Sequence, residues 1–199
     1  MKLKTSKEII VGFLLKIWPN KNNWSKSRQK RYLLNEEIKN ILSVDETVHS
    51  SIDLDENNIS HQAEFYFGQE LLEECILQNN HLSIAVSMIE EPYKSLFRYS
   101  KENSIYIPNI LLTPNNDFYV DFLGYDVGDF MLISSLTNCG FTIEVKNNLT
   151  FFKDKLNKYG LFSDIVTAEE YKTISDLRVK EHAPFYIFGL YQIKFKVQN

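Results

Sequence analysis

The sequence predicts an α+β fold, a single domain in which a mixed or antiparallel sheet carries several packed helices. Three observations lead there. Helical spacing and capping residues dominate about residues 5–42, β-forming runs fill the middle, and an alternating run closes the chain at 185–197. A chain of 199 residues that is 44% hydrophobic can bury a sizeable core, and no repeat or linker divides it, so residues 1–199 read as one unit.

Thr5, Ser6, Lys7 and Glu8 offer a helix start, and Ile9, Ile10, Phe13, Leu14 and Ile17 follow at helical spacing until Pro19. This apolar run after a lysine-rich start also resembles a signal peptide. Lys16 interrupts it and no small-residue cleavage site follows, so an amphipathic helix is the expectation. Ser25 or Ser27 caps a second helix to Leu42, with Tyr32, Leu33, Leu34, Ile38 and Ile41 as its buried stripe. Residues 43–60 are polar and acidic and read as a loop.

Phe65, Tyr66 and Phe67 lead through Gly68 into a helix over 69–78, where Cys75 is a small buried hydrophobe. The run 82–89, LSIAVSMI, fits a strand or a buried helix equally. Glu90, Glu91 and Pro92 start a helical piece reaching about Lys101. Residues 105–112 form an irregular strand around Pro108, 113–117 a turn, and 118–123 and 141–145 further strands. A short helix over 150–159 presents Phe151, Phe152, Leu156 and Tyr159 on one face and ends at Gly160. Thr167, Ala168, Glu169 and Glu170 cap another to about Val179. In the closing strand Tyr191, Ile193, Phe195 and Val197 alternate with Gln192, Lys194 and Lys196.

The net charge of −4 hides an asymmetry. Residues 1–31 hold nine Lys or Arg and one acid, Glu8, whereas residues 36–74 hold eleven acids and one base, Lys39. Net acidity argues against a nucleic-acid partner and favours a cationic protein, since complementary fields speed encounter and suppress wrong partners. Seven glycines are few for a phosphate-cradling scaffold. Two cysteines without a C-x-x-C fit a reduced cytoplasm, and no apolar run approaches a membrane span.

The most telling stretch is 117–141, acidic and aromatic at its start. Asp117, Asp121, Asp126 and Asp129 place four carboxylates within thirteen residues with no cation among them. A metal would need further oxygen or imidazole ligands at coordinating spacing, so no metal and no cofactor is expected. Loop caps or a partner-binding face suit these acids better, with Tyr119 and Tyr125 as aromatic anchors. An enzymatic alternative would use Asp126 and Asp129 with Cys139 or His182. A reactive thiol needs an electropositive setting, however, and the residues around Cys139 are neutral.

The run 122–141, FLGYDVGDFMLISSLTNCGF, resembles a segment of bacterial immunity proteins from contact-dependent inhibition and other polymorphic toxin systems. The resemblance spans about a tenth of the chain. It implies a small cytoplasmic protein, not an enzyme, that binds one cognate toxin domain, a basic one, and blocks it. No catalytic residue carries over. Asp117, Tyr119, Asp121, Tyr125, Asp126 and Asp129 are the residues expected to meet that partner.

Overall fold

The computed structural model of the protein describes residues 8–17, 42–44, 64–66, 81–89, 118–137 and 150–195. Five strands make one antiparallel sheet: β1 (Glu8–Ile17), β2 (Glu64–Tyr66), β3 (His81–Ile89), β4 (Phe118–Gly128) and β5 (Tyr186–Phe195). Their order across the sheet is β2-β1-β3-β5-β4. One α-helix, α1 (Ile165–Arg178), and a 3-10 helix, Thr150–Lys155, complete the described elements.

This corrects the expected fold class. Several packed helices are not found: among the described residues a single α-helix accompanies a sheet that dominates the architecture. The clearest reversal is the N-terminal run, which is strand β1 rather than a helix. Its pairing with β3 slips between Ile10 and Gly12, where Val11 is inserted as a bulge. That extra residue breaks period 2, so apolar residues fall three and four apart and imitate a helical stripe. Ile10, Val11 and Leu14 are all buried, and β-branched residues suit a strand covered on both faces. The helix expected from Ser25 or Ser27 to Leu42 lies outside the described residues except at Leu42, which is not helical, and the expected helices over 69–78 and 90–101 and strands over 105–112 and 141–145 lie wholly outside them.

The ambiguous run 82–89 belongs to β3. Ile84, Ala85, Val86, Ser87 and Met88 are each no more than 2% exposed, so this central strand has no polar face to reveal a period. The helix expected over 150–159 is instead the short 3-10 helix, after which the chain turns around Asn157. Helix α1 begins earlier than its expected cap. Asp164, in extended conformation, accepts from the Thr167 amide and hydroxyl, both at 2.8 Å. Those bonds hold the Asp164 carboxyl below its ordinary value.

The sheet has two faces. On the far face, Leu14, Ile84, Val86, Met88, Phe188 and Leu190 pack with Leu42, Val44, Leu132 and Leu161. On the near face, α1 covers one end, where Ala168 and Tyr171 meet Val127, Phe162 and Ile187. Ile10, Ala85 and Ile193 form a smaller cluster at the other end. Each such fully buried aliphatic or aromatic side chain contributes about 1.5–3 kcal/mol over its exposed state.

A second bulge sets the geometry of β4. Its register against β5 slips between Phe122 and Gly124, which turns Leu123 into the far-face core and leaves Phe122 and Tyr125 on the near face. The Asn157 amide donates to the Leu123 carbonyl at 2.7 Å, while Tyr125 and Phe162 exchange backbone bonds of 2.8 and 2.9 Å along the edge of β4. Gly124 has φ +145°, and a Cβ there would lie 2.6 Å from Leu161 Cβ and 2.9 Å from the Phe162 carbonyl oxygen. Gly124→Ala is therefore expected to cost about 2 kcal/mol or more, read as a lowered urea midpoint at unchanged m-value; an unchanged midpoint would show that the bulge relaxes freely.

Candidate functional site

The structure separates the residues that the sequence groups together. Asp126 points into the far-face core and is fully buried. Its carboxylate accepts from the Val44 amide at 2.7 Å, the Val127 amide at 2.8 Å and the Ser134 hydroxyl at 2.8 Å. Asp129 is 2% exposed and organises the turn after β4. One of its oxygens accepts from the Met131 and Ile133 amides, and the other lies 2.8 Å from His182 Nδ1. Both acids hold the fold together from inside, which withdraws them from a contact surface.

Asp121 is exposed, faces the far side and pairs with Lys194 one rung further along. Tyr119 pairs with Lys194 in the backbone ladder, with its side chain outside the description, and Asp117 lies outside the described residues. Of the enzymatic alternative, the structure brings together Asp129 and His182 alone. Asp126 is committed to other donors, and Cys139 lies outside the described residues. Among the described residues no group of three or more His, Cys, Asp or Glu could hold a metal ion, and no helix is long and apolar enough to cross a membrane.

Tyr125 leads to a different site, built on Glu8. In the ladder Glu8 stands opposite Ile89 on the near face. Its side chain reaches across β3 to β5 and β4. Tyr125 donates its hydroxyl to Glu8 Oε1 at 2.6 Å, while Tyr191 at 2.6 Å and Ser87 at 2.8 Å donate to Oε2. The four residues come from four strands, β1, β3, β4 and β5. A part-buried carboxylate is tolerated where donors replace its lost water, and these three hydroxyls do so.

Gly189 makes the room. It lies between Ser87 and Tyr125 in the ladder, and a Cβ on it would sit 2.4 Å from Ser87 Oγ and 3.1 Å from Glu8 Oε2. Aromatic rings gather beside this carboxylate. Phe122 contacts Tyr125 at 4.8 Å and Tyr191 at 5.1 Å between centroids, both tilted, and is itself 42% exposed. Beside the cluster a groove of about 310 Å³ runs between α1 and the sheet, lined by Ile89, Tyr186, Ile187, Glu169, Lys172 and Thr173.

Sequence reading missed Glu8, Ser87 and Tyr191 because they lie far apart in the chain and are joined through the sheet. One signal was available. A glycine inside the aromatic strand YIFGLYQIKF marks a place where another group comes close to the backbone. No protein-family model, curated protein or solved structure matches this chain.

Burial, then the hydrogen bond to Glu8, pushes the phenols of Tyr125 and Tyr191 above the ordinary 10.0. The folded state thus holds these protons more tightly than the unfolded one. The associated stability is complete below pH 10.0 and is lost as pH rises through the raised folded values. In an alkaline titration followed by tyrosinate absorbance, Tyr125 and Tyr191 should ionise late, together with unfolding, and the Tyr191→Phe variant should show one late phenol fewer and lose about 1.5–3 kcal/mol at neutral pH. Asp126→Ala strands three buried donors and should cost about 3 kcal/mol or more in the same denaturation assay. A loss under 1 kcal/mol would place that carboxylate outside the framework.

Proposed function

We propose that this chain is a binding protein of the immunity type, acting in the cytoplasm on one cationic toxin domain through the near face of its sheet. The observation that carries the reading is the exposed Phe122 ring, held between Tyr125 and Tyr191 over the carboxylate of Glu8. A large apolar ring at the surface, flanked by amphipathic rings already fixed by hydrogen bonds, loses little entropy when covered, which is the composition of an interface anchor. The net charge of −4 and the resemblance of the run 122–141 to immunity proteins support a basic partner. Tyr125 remains in the proposed contact from the original set, and Phe122, Tyr191 and Glu8 replace the buried Asp126 and Asp129.

A second reading rests on the 2.8 Å contact between Asp129 and His182. A buried carboxylate can orient an imidazole for proton transfer, as an enzyme would require. The amides of Met131 and Ile133 occupy the other Asp129 oxygen. This favours a clamp between the turn after β4 and the segment after α1.

The test is co-expression with the product of the gene adjoining that of this chain, reading both co-purification and growth protection. Phe122→Ala should weaken the complex by about 2 kcal/mol or more and abolish protection, with His182→Ala leaving affinity unchanged once folding is verified. Full protection by the Phe122→Ala protein would sink the proposed face. Protection lost through His182→Ala at undiminished affinity would favour the second reading.

A further inference from the structure

Glu8 has more to offer than its three hydroxyl partners use. A carboxylate presents about four acceptor positions. Among the described residues Oε2 accepts from Ser87 and Tyr191, and Oε1 from Tyr125, which leaves Oε1 capacity for one further donor. All three of these donors are neutral hydroxyls, which bring no positive charge to the carboxylate. Among the described residues no Lys, Arg or His is paired with Glu8. The nearest exposed acid on β4, Asp121, faces the opposite side and has its own partner in Lys194.

The surface around this charge is aromatic. Phe122 touches both tyrosines, and the hydroxyls of both tyrosines converge on Glu8, so an exposed π face adjoins a carboxylate within the reach of one long side chain. Phe122 touches both tyrosines and is itself exposed, so its ring offers a face on which a flat cation can stack. Guanidinium is flat and weakly hydrated, stacks on rings and donates in its own plane, whereas the lysine ammonium is compact and strongly hydrated.

We infer that Glu8 and Phe122 form an arginine subsite, in which a partner's arginine stacks on Phe122 and donates to Glu8 Oε1. Tyr125, Tyr191 and Ser87 act as positioning residues. They hold the carboxylate beside the rings, and Gly189 leaves room for it. This inference rests on the proposed binding function and names the chemistry of its central contact.

The experiment is an NMR titration of the full chain with Nα-acetyl-arginine-N-methylamide, with the citrulline and lysine analogues run in parallel. Citrulline keeps the planar shape and loses the charge. Saturable shifts confined to the rings of Phe122, Tyr125 and Tyr191, at least about tenfold tighter for arginine than for either analogue, are expected, since charge-assisted bonding and stacking together exceed the roughly 1.4 kcal/mol that tenfold represents. Glu8→Gln should abolish the preference for arginine over citrulline. If that variant fails to fold, Phe122→Ala serves, because the exposed ring can be removed without opening the core. Equal responses to arginine and citrulline, or shifts elsewhere on the chain, would overturn the subsite. A folded chain that takes arginine but forms no complex with the neighbouring gene product would overturn the binding function alone. A tight complex indifferent to Glu8→Gln would overturn the subsite alone.

Discussion

The architecture turns on one carboxylate. Glu8 accepts from residues 79, 117 and 183 positions away and thereby joins four of the five strands on one face. Backbone ladders bind strands in pairs, but they do not fix how side chains settle across the whole sheet. A charged acceptor with three donors does so, because each bond is worth about 1.5–3 kcal/mol only if its donor comes from the right register. Sliding any of these strands by one residue would send its contribution to the opposite face and strand the charge.

Two bulges make this arrangement compatible with a filled core. In β1 and β4 the inserted residues, Val11 and Leu123, both enter the far-face cluster. Each bulge therefore adds apolar volume on one side while re-aiming the residues beyond it on the other. Without the bulge in β4, Phe122 and Tyr125 could not both stand on the near face, since three positions separate them in an alternating strand. The aromatic surface over Glu8 is thus a product of the same irregularity that fills the core behind it. Asn157 completes the device by supplying a donor to the carbonyl of the inserted Leu123.

Local patterns were legible where one face of an element is wet. The alternation of Tyr191, Ile193 and their polar neighbours identified β5, and the run 167–179 located most of α1. Strand β1 was misread because its bulge mimics helical spacing, and β3 was ambiguous because both its faces are dry. The site was harder. Asp126 and Asp129 are conspicuous as acids in an aromatic run, yet beside nearby amides their partners include Val44 and His182, 82 and 53 positions away, whose proximity only the fold creates. Glu8 lies in a stretch that reads as a helix start, and the tyrosines it binds lie more than a hundred residues away. A carboxylate's partners decide whether it is scaffold or surface, and Val44, His182 and the two tyrosines lie far from theirs in sequence.

The strand order also has a consequence for how the protein comes into being. β5 sits between β3 and β4, so neither central pairing on that side can form until the last of the five strands has been synthesised. During translation β1 and β3 can pair early, with their inner flank open and Glu8 lacking two of its three donors. The nascent chain thus carries an unfinished sheet edge from the completion of β3 until β5 emerges, the condition under which chaperones engage and strands mispair. Arrival of β5 then closes both gaps and seats the carboxylate at once, which makes assembly late, cooperative and dependent on contacts of high sequence separation.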